Sequence, residues 1–405
     1  MDKIPEVNIV DAMCGSGKTS AAINYINSSS NDIRFLYITP YLDEVDRILS
    51  SCPSHAFAQP LSDTSKLADI KRLFAEGRNV VSTHALFSLF DSEVVELIKK
   101  QNYVLVMDEV ADVVQPAEIS KPDLKMLLQC CLSVGDDGLL SWHQSNEKYC
   151  GRFAKEKRLC DLNAMYLYRD TAILWLFPVS TFIAFSKVYI LTYLFAAQAQ
   201  KYYYDFYGVK YRYMFVEGDS VENYHFTETE IKYKHPNYRE LIHVVEGDKI
   251  NEIGKGETAL SHSWYERKQN EAGLIQLKRN MVNFFRRIAN VPSEKCLWTT
   301  FKFARKPLSC NGFASGFLSC NARATNNYRQ CTAVAYTINK YYHPIVKGFF
   351  VANNIAVDED TYAVVELIQW MWRSAIRDGK PIEVYLPSKR MRRLFNNWLD
   401  SVCPK

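Results

Sequence analysis

The chain has 405 residues, with 49 lysines and arginines against 45 aspartates and glutamates, so its formal net charge is only +4. That length accommodates two or three domains with large cores, which excludes a small scaffold stapled by disulfides. The near-balanced charge excludes binding nucleic acid by bulk electrostatics, so any such contact has to come from a local basic groove.

The 11 cysteines are odd in number and scattered, with no C-x-x-C pair and no Cys/His cluster at zinc spacing, which reads as reduced thiols in a cytosol. The first residues, Met1 to Pro5, show no basic segment followed by an apolar core, so no signal peptide is expected. The most apolar region, Ala172 to Ala197, is interrupted by Pro178 and Lys187, which argues against a membrane span.

Val7 to Val10 reads as a short buried strand and Ser20 to Ile26 as a helix with small residues near its start. Between them runs Asp11-Ala-Met-Cys-Gly-Ser-Gly-Lys-Thr-Ser20, a glycine-rich turn ending in Lys-Thr. Gly15 and Gly17, flanking Ser16, can take backbone angles closed to other residues, so successive amides can point into one phosphate-holding cavity. Lys18 would reach the β- and γ-phosphates of ATP and the Thr19 hydroxyl would bind Mg²⁺. Ala12 stands where the motif usually has its first glycine.

Strands then alternate with helices in the manner of parallel βαβ units. Ile33 to Ile38 is a strand, and Leu42, Val45, Ile48 and Leu49 recur at helical spacing. Leu67, Ile70, Leu73 and Phe74 mark a helix closed by Gly77, and Val80 to Thr83 and Tyr103 to Met107 are strands. The last of these delivers Asp108 and Glu109 at its carboxyl end, where open α/β sheets bind ligands. Asp108 would hold the Mg²⁺ shell and Glu109 would orient or deprotonate an attacking water.

From about Gln115 to Arg169 the alternation fails, which suggests an insertion of helices and loops. The sheet is expected to resume with Ala172 to Leu176 and Val188 to Thr192, followed by a tyrosine-rich helix over Gln198 to Tyr207 whose rings either pack or stack bases. A boundary near Glu217 separates residues 1–217 from a second unit, 218–405. That unit has hairpin-like segments and a long helix near Leu274 to Ala289. Its strands are Cys296 to Thr300, Thr332 to Tyr336 and Ile382 to Tyr385, and its other helices are Tyr362 to Arg377 and Lys389 to Leu399. The fold class is α/β with mostly parallel sheets.

Gln369, Arg373 and Arg377 are spaced by four, so one helix would present all three on one face. Such a face either answers the charge of a γ-phosphate or makes surface ion pairs. In the last helix, Met391, Leu394, Phe395 and Trp398 recur at core spacing, while Arg390 or Arg393 could serve a phosphate.

In this order the motifs resemble superfamily 2 helicases, and more closely the compact helicase-like proteins of phages. Ala12 to Thr19 resembles motif I, Ile38 to Tyr41 motif Ia, Ser82 to Ala85 motif Ib and Asp108 to Ala111 motif II. Leu191 to Leu194 resembles motif III, Thr299 to Lys302 motif IV, Ala324 to Asn327 motif V and Gln369 to Arg377 motif VI. Motif II reads Asp-Glu-Val-Ala, which is neither DEAD nor DEAH. Trp372 stands where glycine usually precedes the first arginine of motif VI, and no adenine-reading glutamine precedes the glycine loop.

The resemblance implies two RecA-like domains gripping a single nucleic-acid strand, with DNA favoured over RNA. Thr39, Thr83 and His84 would contact its backbone from the first domain, and Lys302, Arg323, Asn326 and Arg329 from the second, where the arginine finger also resides. Such residues suit phosphates, which position a strand without reading it. Thr192 would couple the nucleotide to the strand. A cytoplasmic setting, in a host if phage-encoded, and replication or phage proteins as partners follow from the same resemblance. ATP-dependent helicase or translocase activity is thus the expectation. Its rivals are an ATP-gated scaffold without turnover and a viral packaging-type ATPase.

Overall fold

Val104-Leu-Val-Met-Asp108 is apolar but for its last residue and all five positions are buried, the mark of a strand covered on both faces. The computed structural model describes residues 5–40, 42–61, 65–231, 236–320 and 327–404. Contacts divide the chain into two units, Met1–Ile231 with His343–Val357, and Lys232–Tyr342 with Asp358–Lys405.

In the first unit the strands are β1 (Glu6–Asp11), β2 (Phe35–Thr39), β3 (Val80–Thr83), β4 (Val104–Asp108), β5 (Val114–Pro116), β6 (Leu132–Val134), β7 (Leu140–Trp142), β8 (Met165–Tyr168), β9 (Ala172–Leu176), β10 (Lys187–Thr192), β11 (Tyr211–Glu217) and β12 (His225–Thr227). The main sheet runs β12-β11-β1-β10-β4-β2-β3, parallel except for β12, which forms a hairpin with β11. β9 does not join this sheet, contrary to the expectation from its apolar run: it pairs antiparallel with β5 and β8 in a separate three-stranded sheet. The expected insertion of helices and loops therefore also contains strands. With the β6–β7 hairpin it surrounds its own core of Leu127, Leu132, Leu140, Met165 and Ile173.

The tyrosine-rich helix, Ala199–Phe206, buries Tyr202, Tyr203 and Tyr204 completely, so these rings pack and do not stack bases. A helix from far along the sequence, Pro344–Ala352, also belongs to this unit. Its Phe349 ring lies 5.1 Å from Phe206 and 6.1 Å from Tyr166, and Phe350 lies 5.7 Å from Tyr202.

The second unit has four parallel strands, β13 (Ile242–Val244), β14 (Cys296–Thr299), β15 (Ala333–Tyr336) and β16 (Ile382–Tyr385), in the order β13-β16-β15-β14. Trp298 is fully buried beneath the sheet, its indole N–H donating to the Phe313 carbonyl at 2.8 Å. The final helix, Lys389–Val402, is capped by Ser388, whose hydroxyl accepts the Met391 amide at 3.3 Å. Its buried stripe of Met391, Leu394, Phe395, Trp398 and Leu399 docks it, each side chain contributing about 1.5–3 kcal/mol. Arg390 is buried beside this stripe, donating to Asp360 and to the Lys340 carbonyl, both at 2.6 Å. It is therefore a structural pair and not a phosphate ligand. Among the described residues no helix is long and apolar enough to cross a membrane.

Candidate functional site

β1 ends at Asp11 and the helix Lys18–Ser28 begins at the far side of the glycine loop. Gly15 and Gly17 both have φ of 84°, the left-handed region that favours glycine. The helix has no side-chain cap and no acidic residue in its first turn, so its amino-terminal amides and dipole are available to an anion. Lys18 folds along the loop and donates to the carbonyls of Ala12 and Met13 at 2.5 and 2.9 Å, which engages two of its three donors. Ser16 Oγ is buried without a hydrogen-bond partner among the described residues. A polar ligand in the loop would relieve that penalty, about 1–3 kcal/mol for a buried unsatisfied group. The loop therefore fits phosphate.

β10 stands between the loop strand and the acid strand, so the carboxyl ends of β1 and β4 are two strand spacings apart, about 10 Å. Its last two carbonyls hold both neighbours: Thr192 accepts the Ala12 amide at 3.0 Å and Leu191 accepts the Glu109 amide at 2.9 Å. Asp108 is buried, and Glu109 has φ of 65°, a conformation a non-glycine residue keeps only where its surroundings impose it. Thr192 is fully buried, and its hydroxyl finds no hydrogen-bond partner among the described residues. His84, at the end of β3, donates through Nε2 to the Asp108 carbonyl at 2.8 Å. A Mg²⁺ ion here would draw on the Thr19 hydroxyl and the Asp108 carboxylate, a hard oxygen set of the kind it prefers.

Two residues at this edge carried no sequence signal. The Tyr224 ring lies over Gly17, 2.7 Å from where a β-carbon would stand, and the Asn24 amide donates to the carbonyls of Val221 and Tyr224, each at 2.9 Å. Roughly two hundred residues separate these partners in sequence, beyond any local pattern. Asp11 accepts the amides of Leu194 and Phe195 at 2.7 and 2.9 Å, fixing the turn after Thr192. Burial pushes its carboxyl above the usual range, opposed by those two amides and by the charge of Lys18.

Of the residues expected to contact a strand, Thr83 and His84 are half-buried at the end of β3, Thr39 is fully buried at the end of β2, and Lys302 is exposed just past β14. Arg329 forms a forked pair with the Asp378 carboxylate. Arg323 and Asn326 lie outside the described residues, as does most of the segment resembling motif V.

The single helix face expected for Gln369, Arg373 and Arg377 is not formed, because the helix Glu359–Met371 stops first. The Ser374 hydroxyl donates back to the Met371 carbonyl at 2.8 Å, and the Ala375 amide turns to the Cys331 carbonyl at 3.0 Å. Trp372 is buried between Tyr238 and Trp398, with ring separations of 5.3 and 5.7 Å. Gln369 is left half-buried in the last helical turn, Arg373 half-buried beyond it, and Arg377 exposed in the short helix Ala375–Asp378.

Fold and site define a two-unit α/β protein whose first sheet carries a glycine-rich strand–loop–helix and a paired-acid strand on one edge. The chain belongs to the YonV family: it is 38% identical over 408 residues to the SPbeta prophage-derived uncharacterized protein YonV of Bacillus subtilis (strain 168), covering 98% of this chain and 99% of that one. Residues 114–175 match the YonV middle domain and 236–399 the YonV C-terminal Rossmann-like domain. A crystal structure of the DUF1998 helicase MrfA bound to DNA and AMPPNP is similar at 12% identity with a TM-score of 0.36. The similarity covers 98% of this chain but only about half, 48%, of that one. At that score it carries no functional argument.

Proposed function

We propose that the chain is an ATP-dependent, Mg²⁺-requiring nucleic-acid helicase or translocase acting on single strands, DNA in preference to RNA. The observation that carries this reading is β10 standing between β1, which leads through Ala12 into the glycine loop, and β4, which ends at Asp108, and hydrogen-bonded to Ala12 and Glu109. Loop amides and Lys18 would hold the triphosphate, with Lys18 exchanging a loop carbonyl for phosphate oxygen. Mg²⁺ bound by Thr19 and Asp108 would supply neutralising charge. The Glu109 carboxylate would accept a proton from water as its oxygen bonds the γ-phosphorus and the bond to the bridging oxygen breaks. Gln369, Arg373 and Arg377 are the groups proposed to stabilise charge growing on the γ-phosphate. The Thr192 hydroxyl, without a partner among the described residues, would gain one with the nucleotide state and so couple it to the strand. Thr83, His84, Lys302, Arg323, Asn326 and Arg329 are the proposed backbone contacts, Thr39 acting from beneath the edge.

Steady-state ATP turnover measured alone and with single-stranded DNA, duplex DNA and RNA tests this. Stimulation by single strands, with a fall of about 10²-fold or more in Lys18→Ala and Glu109→Gln, is expected. Turnover indifferent to every polynucleotide would sink the motor. ATP binding with no turnover above that of Lys18→Ala would favour a switchable scaffold.

A further inference from the structure

We propose that Phe303 is a base-stacking platform for single-stranded nucleic acid, built just past the carboxyl end of β14. The inference rests on the nucleic-acid reading above and adds contact with bases to contact with phosphates.

Phe301 is half-buried against the core of the second unit and meets Tyr265 edge-on at 5.6 Å. Phe303 lies nearly parallel to it, at 14° and 5.9 Å between centroids, yet is 49% exposed. The His262 ring meets both edge-on, 5.1 Å from Phe301 and 5.0 Å from Phe303. Between the two phenylalanines the chain makes a tight turn, the Ala304 amide donating to the Phe301 carbonyl at 2.9 Å. Phe303 is thus braced by two rings and a turn while one face stays in water. An exposed aromatic ring is ordinary, but one held in place by others has little rotamer freedom left to lose on binding.

The surrounding charge selects the occupant. Lys302, Arg305 and Lys306 are exposed around the ring, and Arg267 and Lys268 follow the helix that carries His262. Arg305 lies over the Phe317 ring at 4.6 Å. The acid Glu266 is also nearby, its carboxylate 3.2 Å from His262 Nδ1. An aromatic face among cations matches a polymer with π-faces and a phosphate backbone, and only a single strand exposes those faces. A protein partner would have to bury lysine at the centre of its contact, where lysine is depleted.

The test uses the full chain and a thymidine oligonucleotide carrying one 2-aminopurine, followed by fluorescence quenching and anisotropy. Quenching on binding is expected, lost in Phe303→Ala with an affinity loss of about tenfold and restored in Phe303→Trp. Lys302→Ala should weaken binding and flatten its salt dependence with quenching retained. Wild type that binds without quenching, or Phe303→Ala that binds and quenches like wild type, would overturn the platform. So would an unchanged strand affinity in Phe303→Ala with loss of a self-associated form, which would make this face an interface between copies. ATP turnover by wild type without polynucleotide reports on the nucleotide reading separately, so failure of one is distinguishable from failure of the other.

Discussion

The Thr192 carbonyl accepts the Ala12 amide at 3.0 Å, while the hydroxyl of the same threonine is buried with no partner among the described residues. One residue thus secures the glycine loop through its backbone and offers an unused polar group beside it. Thr192→Val keeps the backbone bond and the shape. Because an unpaired buried hydroxyl is a penalty, thermal unfolding should show stability unchanged or raised by up to about 1 kcal/mol. Stimulation of ATP turnover by single strands should fall several-fold, with ATP affinity retained. A destabilised Thr192→Val would show that the hydroxyl has a structural partner instead.

Glu109 holds φ at 65° with its amide on the Leu191 carbonyl. Left-handed backbone costs a non-glycine residue about 1 kcal/mol, so Glu109→Gly should be at least as stable as wild type in urea titration. The same variant should have lost ATP turnover. Stability gained and activity lost together is the pattern expected where strain is kept for function.

Cys14 sits half-buried in the glycine loop, whereas burial pushes the Cys296 thiol up to about 11 and that of Cys331 up to about 12. At pH 8 the last two have almost no reactive thiolate. Mass spectrometry after brief alkylation should find Cys130 and Cys150, which are exposed, modified, and Cys296 and Cys331 untouched. Modification of Cys14 should slow several-fold in Mg²⁺ and ATP. Unchanged labelling of Cys14 with saturating nucleotide would place the triphosphate elsewhere.

Hydrogen bonding from Arg329 holds the Asp378 carboxyl below the usual range, and the same bond raises the guanidinium. A carboxyl lowered by folding contributes stability that is present above the usual carboxylate pKa and is lost as pH falls through the lowered value. The pair is 48% and 25% exposed, so solvent screening limits it to under about 1 kcal/mol. Asp378→Asn should therefore be slightly less stable than wild type at pH 7, with the difference shrinking as pH falls below the usual carboxylate range, in urea titrations. If Arg329 contacts phosphate, the same variant should bind single strands more tightly at neutral pH, since its guanidinium is released.

Sequence pattern located most strands because apolar runs such as Phe35–Thr39 and Val104–Asp108 are buried on both faces, where continuous hydrophobicity is diagnostic. It could not say which sheet a run joins: Ala172-Ile-Leu-Trp-Leu176 is as apolar as β10 but pairs with β5 and β8. Helical spacing suggested a helix through Arg377, while the end at Met371 is set by bonds from Ser374 and Ala375, the second to distant Cys331. The strand–loop–helix around Gly15 and Gly17 was legible because glycine and small residues act locally. Tyr224 over Gly17, and the His262 ring edge-on to Phe303, depend on contacts distant in sequence and have no local signature.

The central claim is that Gly15–Thr19 holds a triphosphate next to Asp108 and Glu109. Calorimetric titration of the full chain with Mg²⁺ and a non-hydrolysable ATP analogue tests it most directly. The expected result is one site in wild type and in Glu109→Gln, weakened at least about tenfold in Lys18→Ala, as loss of a phosphate-bound cation implies. Equal binding by wild type and Lys18→Ala, or none by either, would contradict it.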